Sequence, residues 1–244
     1  MDAPRSLIKK VIEAQTHNSY GSSSTIMSLP KDLQVHLFSM VASDSIVDLF
    51  NLKICCKDFL DLAEEKYIYQ LVSLDTVPLF PWHPDLKDKQ SSFLQLCRES
   101  GNLEILFRDW LLEFNKNRNS CLEILREISE KGHETAKYMY GMLLLCFEDE
   151  EKRKEGLMQL RLLRRSKCVI TCRKKVEDLA SHCWRVNRKE VVRTLKTLCH
   201  NPMQCNGRRV YWGWPLLKDE EDDIPCEYCR FDYELNCFCS IFNL

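Results

Sequence analysis

The sequence predicts an all-α protein. Its 244 residues include seven glycines and eight prolines, about half the combined share of an average protein, and 45% of its residues are apolar. Few chain breakers together with many apolar residues favour long helices over the turn-rich strands of sandwiches and barrels. Apolar residues also recur at helical spacing, and one helix-turn-helix pattern repeats after 31 residues.

Net charge and the termini exclude several classes of protein. The chain has 35 Lys and Arg residues and 36 Asp and Glu residues, so no overall charge draws it to nucleic acid or to an anionic membrane. The N-terminal sequence has no apolar run of signal-peptide length, and no window reaches the roughly 18 apolar residues of a membrane span. We therefore expect a cytoplasmic or nuclear protein without a membrane partner, in which disulfides are rare despite fourteen cysteines.

The first predicted helix follows a polar segment. Residues 1–27 are mostly polar and are predicted to be a flexible leader. Pro30 suits a first helical turn because its missing N–H costs nothing there, and Asp32 suits the positive end of the helix dipole. The residues that follow form one apolar stripe of a helix: Leu33, Leu37, Met40 and Val41.

Two further short helices are predicted before residue 65. The second carries Ile46, Leu49, Phe50 and Leu52. The third runs from about Ile54 to Glu64, and its spacing predicts these inward-facing residues: Cys56, Phe59, Leu60 and Ala63. Three short helices in about 40 residues bury little surface, so we expect this module to be stabilised by contact with a partner.

Residues 28–75 resemble an F-box. The family pattern is a Leu-Pro pair, an acidic residue, spaced aliphatic residues, and a Cys-Lys or Ser-Lys pair before an aromatic residue. Leu29-Pro30 and Cys56-Lys57-x-Phe59 stand at the expected separation, although many members carry Trp where this chain has Phe59. A three-helix piece of an ordinary helical domain is the alternative interpretation.

The F-box resemblance implies docking to the Skp adaptor, which links to a cullin scaffold. Such an interface is a helix-in-groove contact with aliphatic anchors. Some motif positions must instead support the F-box core, and the sequence does not sort the two roles. The predicted adaptor-binding residues are Leu29, Pro30, Leu33, Val41, Leu49, Leu52, Cys56 and Phe59.

A linker and a helical repeat domain are predicted next. Residues 76–90 contain three prolines and Trp82, so we expect an extended linker there. In residues 91–200, the pattern that begins at Gly101-Asn102 returns at Gly132-His133. In each copy a helix is predicted to end at the glycine, where a left-handed C-cap conformation costs little. This period is typical of tetratricopeptide-like solenoids.

Further helices are predicted to complete the repeat stack. They span Glu151 to Arg165 and Val176 to Arg185. Gly141, which lies beside two tyrosines in the second copy, is expected to let two helices approach each other closely.

The tail of residues 201–244, together with the end of the repeat domain, is rich in cysteine. Six of the fourteen cysteines lie in the last 46 residues. Cys226-x-x-Cys229 supplies two thiolates of the kind that hold a tetrahedral zinc, and a second pair must come from elsewhere. Cys199 and Cys205 are the best candidates, with His200, Cys237 and Cys239 as substitutes. A structural zinc on Cys199, Cys205, Cys226 and Cys229 and a set of free thiols both remain open.

No catalytic site is recognisable. None of the six histidines pairs with a nucleophile in a local signature, and phosphate-binding glycine loops are absent. A basic run from Arg161 to Lys175 is either a nucleic-acid or acidic-partner patch, or a solvated helix-end face offset by acidic runs. We favour the solvated face because the net charge is near zero.

The combination of an F-box, a Pro-Trp linker, helical repeats and a Cys-rich tail resembles a plant F-box family with tetratricopeptide-like or Sel-type helices. The resemblance implies a non-catalytic substrate-receptor subunit of an SCF-type ubiquitin ligase that presents an unknown target protein through its repeats. The alternatives are a zinc-stabilised nucleic-acid-binding protein and a helical-repeat scaffold that acts outside a ligase.

Overall fold

The structure is a computed structural model that describes residues 26–78, 87–116, 122–183, 197–199, 205 and 226–242. All regular structure within these ranges is helical, which confirms the all-α prediction. The chain divides into two compact units, residues 1–106 and 107–244. Most of the predicted leader and Trp82 of the predicted linker lie outside the described residues.

In its described residues the first unit contains five helices and the start of a sixth. A 3-10 turn at Ile26–Ser28 precedes them, and Ser45 caps the second by accepting a hydrogen bond from the N–H of Asp48 at 3.1 Å. The fifth starts within the range predicted to be a linker. The helices are α1 (Lys31–Asp44), α2 (Ile46–Cys55), α3 (Lys57–Ala63), α4 (Lys66–Leu71) and α5 (Lys87–Glu99).

Helix α1 buries a different face from its apolar stripe. Phe38 and Ala42 are buried in the core of the first unit, and so is Gln34, whose side-chain amide donates to the carbonyl of Leu29 at 2.8 Å. Leu33, by contrast, is 51% exposed, and Met40 is exposed as well. Leu37 and Val41 of the same stripe are half-buried, so the stripe is only partly covered.

In helix α3, only two of the four residues predicted to face inward are covered. Ala63 is buried and Phe59 is half-buried against the edge of the Phe38 ring, with the ring centroids 5.1 Å apart. Cys56 and Leu60 are exposed, so the prediction that they face inward is wrong. Helices this short carry more apolar surface than their small shared core can cover.

The second unit contains most of helix α6 (Leu103–Lys116), which begins in the first unit, and five more helices in its described residues. Their bounds are α7 (Leu122–Glu130), α8 (Glu134–Leu145), α9 (Glu150–Arg165), α10 (Val169–Cys183) and α11 (Glu227–Phe242). Helix α8 is the centre of this unit, because it contacts α7, α9, α10 and α11. Every residue of α8 from Tyr138 to Leu145 is buried.

The two predicted repeat glycines end their helices as expected. Gly101 and Gly132 have φ values of +79° and +102°. In both turns the glycine N–H and the next N–H bond back to carbonyls three and five residues earlier, which is the Schellman pattern. Asn102 and His133 then cap the following helices, accepting from the N–H groups of Ile105 at 3.3 Å and Ala136 at 3.0 Å.

A third turn of the same kind joins α9 to α10, and it was not predicted from the sequence. Lys167 occupies the left-handed position with φ +59°, and Lys167 and Cys168 make the same two backward bonds, both at 3.0 Å. Helix α10 therefore starts at Val169 rather than at the predicted Val176. Because the left-handed position is occupied by a lysine and not a glycine, residue types did not indicate this junction. The predicted end of the helix at Arg185 lies outside the described residues.

Helices α8 and α9 touch backbone to backbone at two glycines. A Cβ atom on Gly156 would lie 2.7 Å from the carbonyl oxygen of Gly141, and a Cβ atom on Gly141 would lie 3.3 Å from the carbonyl oxygen of Gly156. The predicted close approach at Gly141 is thus confirmed, and its partner is Gly156.

We predict that replacing Lys167 with glycine stabilises the protein. A residue with a Cβ atom pays about 1 kcal/mol for the left-handed conformation that glycine adopts without strain. Lys167→Gly should raise the unfolding free energy by about that amount in urea titrations, whereas the control Lys167→Ala should not. Equal stability of the glycine and alanine variants would contradict this account of the turn.

Candidate functional site

Four cysteines converge at the start of helix α11. The sulfur atoms of Cys199, Cys205, Cys226 and Cys229 all lie within 4.8 Å of one another. The Sγ of Cys199 is 3.6 Å from that of Cys205 and 3.9 Å from that of Cys226. All four are free thiols. These are the four residues that the sequence predicted as metal ligands, and the structure brings them together.

The sulfur separations suit a tetrahedral metal ion. Zinc–thiolate bonds are about 2.3 Å long, so two sulfurs at corners of a regular tetrahedron are about 3.8 Å apart. A disulfide would require about 2.05 Å. The two measured separations lie on either side of the tetrahedral value. The cluster can therefore hold a metal ion.

Helix α11 supplies half of the cluster. Cys226 is the residue before its first turn, and Cys229 lies within that turn. The backbone N–H of Cys229 bonds to the sulfur of Cys226 and lowers the pKa of that thiol to about 7. Burial and the neighbouring thiols raise the pKa of Cys229. Thiols this close cannot all ionise side by side, so a cation is what would allow all four to act as thiolates.

Asp232 places the third ligand. Its two carboxylate oxygens accept hydrogen bonds from the backbone N–H groups of Leu198, at 2.7 Å, and of Cys199, at 3.0 Å. Asp232 follows Cys229 by three residues, so both lie on one face of α11. Sequence reasoning missed Asp232 because a single aspartate within a helix carries no metal-site signal.

A buried ion pair fixes α11 against the repeat helices. Arg173 of α10 and Glu234 of α11 are 6% and 3% exposed, and the guanidinium makes a two-pronged contact with the carboxylate, with Nε 2.9 Å from Oε1. Tyr138 of α8 donates its hydroxyl hydrogen to the same carboxylate. Burial and the adjacent Glu234 raise the pKa of Tyr138 well above its usual value, so the hydroxyl keeps its proton.

Aromatic contacts complete the docking of α11. Phe238 meets the Tyr138 ring edge-on at 6.3 Å between centroids, and Phe242 meets Phe114 of α6 at 6.3 Å. Phe238 and Phe242 are themselves almost completely buried. The helix that presents two thiols is thus an integral part of the core of the second unit.

The basic run from Arg161 to Lys175 is not a continuous charged surface. Arg173 is buried against Glu234, and Arg161 holds Glu227 at the start of α11 with contacts of 3.1 and 2.8 Å. Arg161 thereby lowers the pKa of Glu227. Two of the seven basic residues of the run therefore bind carboxylates of this chain.

The other cysteines fall into several environments. Burial raises the pKa of Cys97 to about 11 and that of Cys172 to about 12, as expected of inert core thiols. Cys55 and Cys56 are exposed on the first unit. Cys237 and Cys239 are buried in α11 outside the four-thiol cluster, and His200 lies outside the described residues.

The predicted adaptor-binding residues separate by exposure within the first unit. Leu49 is completely buried. Val41, Leu52 and Phe59 are half-buried, and the last two pack against the core. The exposed members are Leu29, Pro30, Leu33 and Cys56. Other exposed large hydrophobic side chains between residues 27 and 75 are Met27, Met40, Val47, Phe50, Ile54, Leu60, Tyr67 and Leu71.

Among the described residues, no helix has the length and apolar content needed to cross a membrane.

Comparison with known proteins identifies two similarities. The family model described as plant tetratricopeptide repeats matches residues 74–181. An Arabidopsis thaliana protein named "Putative F-box protein" is 29% identical over 209 residues, which cover 80% of this chain and 69% of that protein. No solved structure matches. These findings confirm the resemblance to plant F-box proteins with tetratricopeptide-like repeats.

We predict that Glu234→Leu destabilises the protein strongly. It leaves the Arg173 guanidinium buried without a counter-charge, which costs about 3–5 kcal/mol, whereas replacing both partners with apolar residues is often close to neutral. Urea unfolding of Glu234→Leu and of the double variant Arg173→Met, Glu234→Leu measures the difference. If the single variant is as stable as the double variant, the pair does not anchor α11.

Proposed function

We propose that this chain is the substrate-receptor subunit of an SCF-type ubiquitin ligase. In this role residues 28–75 act as the F-box that docks the Skp adaptor and so joins the cullin scaffold. The helical repeats, within residues 91–200, present a target protein. The contribution is proximity and orientation, without catalytic groups of its own. The role places the protein in the cytoplasm, the nucleus or both.

The surplus of exposed apolar surface on the F-box segment carries this proposal. Leu33 is 51% exposed, Val47 59% and Ile54 83%, although each lies on a regular helix of a folded unit. A concentration of large exposed apolar side chains in one segment is the feature expected of a protein–protein contact site. The similarity to a named F-box protein supports the same assignment.

Exposure divides the motif residues between two proposed roles. Leu29, Pro30 and Leu33 are exposed at the start of α1 and are proposed to contact the adaptor. Leu49 has no surface to offer a partner, and Leu52 and Phe59 pack against the core. We assign these three to support of the F-box helices. Val41 and Cys56 are proposed to lie at the edge of the interface.

We also propose that the four-thiol cluster holds a structural zinc ion. Among the described residues the cluster offers four sulfurs, and zinc is bound tetrahedrally by four cysteines in structural sites. Such a site with all positions filled by protein leaves none open for a substrate. When bound, zinc would tie residues 199 and 205 to the start of α11.

The F-box assignment predicts loss of adaptor binding after Leu29→Ala combined with Pro30→Ala. Both side chains are exposed, so the helices should remain folded while the anchors are removed. We expect the affinity for the purified Skp adaptor to fall at least about tenfold in isothermal titration calorimetry. Met158→Ala, which truncates an exposed apolar residue on α9, is the control. Undiminished binding by the double variant would refute the assignment.

The zinc assignment predicts about one zinc ion per chain after purification without an affinity tag that binds metal. Cys226→Ser with Cys229→Ser should remove it, because half of the ligands are lost. Cys55→Ser, which changes an exposed thiol of the first unit, should retain it. Metal analysis by mass spectrometry gives the stoichiometry, and a metal-free wild-type protein that does not take up added zinc would exclude the site.

A further inference from the structure

Asp232 is the residue that joins the two halves of the four-thiol cluster. Two of the ligands, Cys226 and Cys229, belong to the start of α11, and a third, Cys199, lies on a separate segment 27 residues earlier in the chain. The carboxylate of Asp232 accepts from two successive backbone N–H groups of that segment, one of which is the N–H of Cys199 itself. Leu198 and Cys199 are both buried where this happens.

We propose that Asp232 is a positioning residue of the metal site, which sets metal affinity by holding the main chain of Cys199 at ligand distance from Cys226. This inference rests on the proposed zinc site. A carboxylate that accepts two N–H bonds is a stronger tether than a neutral group, because each bond is charge-assisted. An amide nitrogen in place of either carboxylate oxygen would lose one of the two bonds, because the amide N–H donors would then face a backbone N–H donor.

The same contact couples the metal to the position of α11. Asp232 lies between Cys229, a ligand, and Glu234, the buried partner of Arg173, on one helix. The tether joins residues 198 and 199 to the helix that the buried ion pair holds against α10. Because metal binding and folding are linked when a site is built from distant segments, zinc should stabilise the folded protein.

The test compares Asp232→Asn with wild type in the full-length protein. Zinc affinity is measured by competition with a chromophoric chelator, and melting temperature is measured with and without zinc. Residues that orient metal ligands typically change affinity about 10–100-fold when replaced. We expect Asp232→Asn to bind zinc about 10–100-fold more weakly. Its melting temperature should fall further with zinc than without zinc, because weaker zinc binding reduces the stabilisation by zinc in addition to the loss of the hydrogen bonds.

Cobalt substitution separates positioning from ligation. Asp232→Asn should keep the thiolate-to-cobalt absorption of four sulfur ligands at saturating cobalt, whereas Cys199→Ser should lose part of it. Asn236→Ala, an exposed change one turn further along α11, is the matched control and should leave affinity unchanged. Should Asp232→Asn fail to fold, Asp232→Glu retains the charge but shifts it, and is expected to bind zinc with reduced affinity.

Each outcome decides the inference. Wild-type and Asp232→Asn affinities within about twofold, or equal losses of melting temperature with and without zinc, would overturn the role of Asp232 and leave the zinc site standing. If wild-type protein binds no zinc, the zinc site itself is wrong, and the inference fails with it.

Discussion

A charged pair buried between two helices holds the second unit together around its C-terminal helix. Arg173 and Glu234 are both removed from water, and Tyr138 adds a third bond to the carboxylate. A buried charge left without its partner is costly, so α11 has one favourable position and orientation against α8 and α10. The three phenylalanines of α11 are then buried, and the N-terminal end of the helix presents the thiols of Cys226 and Cys229 and the Asp232 carboxylate.

The two units use apolar surface in different ways. In the second unit, α8 is buried along most of its length, and a glycine pair lets α9 approach it at backbone distance. In the first unit, the helices leave large apolar side chains such as Leu33 and Ile54 in contact with water. A helix that is apolar on more than one face needs more than one neighbour. The exposed apolar side chains of residues 28–75 form the surface that we propose to contact a partner protein.

Prediction from sequence succeeded where a residue type has one physical use. Glycine ends a helix in the left-handed conformation at almost no cost, so Gly101 and Gly132 marked two turns correctly. A Cys-x-x-Cys knuckle needs a second thiol pair, and the candidates Cys199 and Cys205 were the ones found. Prediction failed at Lys167, which adopts the same left-handed turn without being a glycine. It also failed at Leu60, which has the helical spacing of a core residue but is exposed on the short helix α3.

The sequence by itself determined the all-helical class, the repeat period and the identity of the four converging thiols, because each follows from local preference or ligand chemistry. Only the tertiary structure decided which apolar face of α1 is buried, that Arg173 is a core residue rather than part of a basic surface, and that Asp232 holds Cys199. These features depend on contacts between residues dozens of positions apart. Burial and pairing at that range are set by how whole helices pack, which no local pattern of residues records.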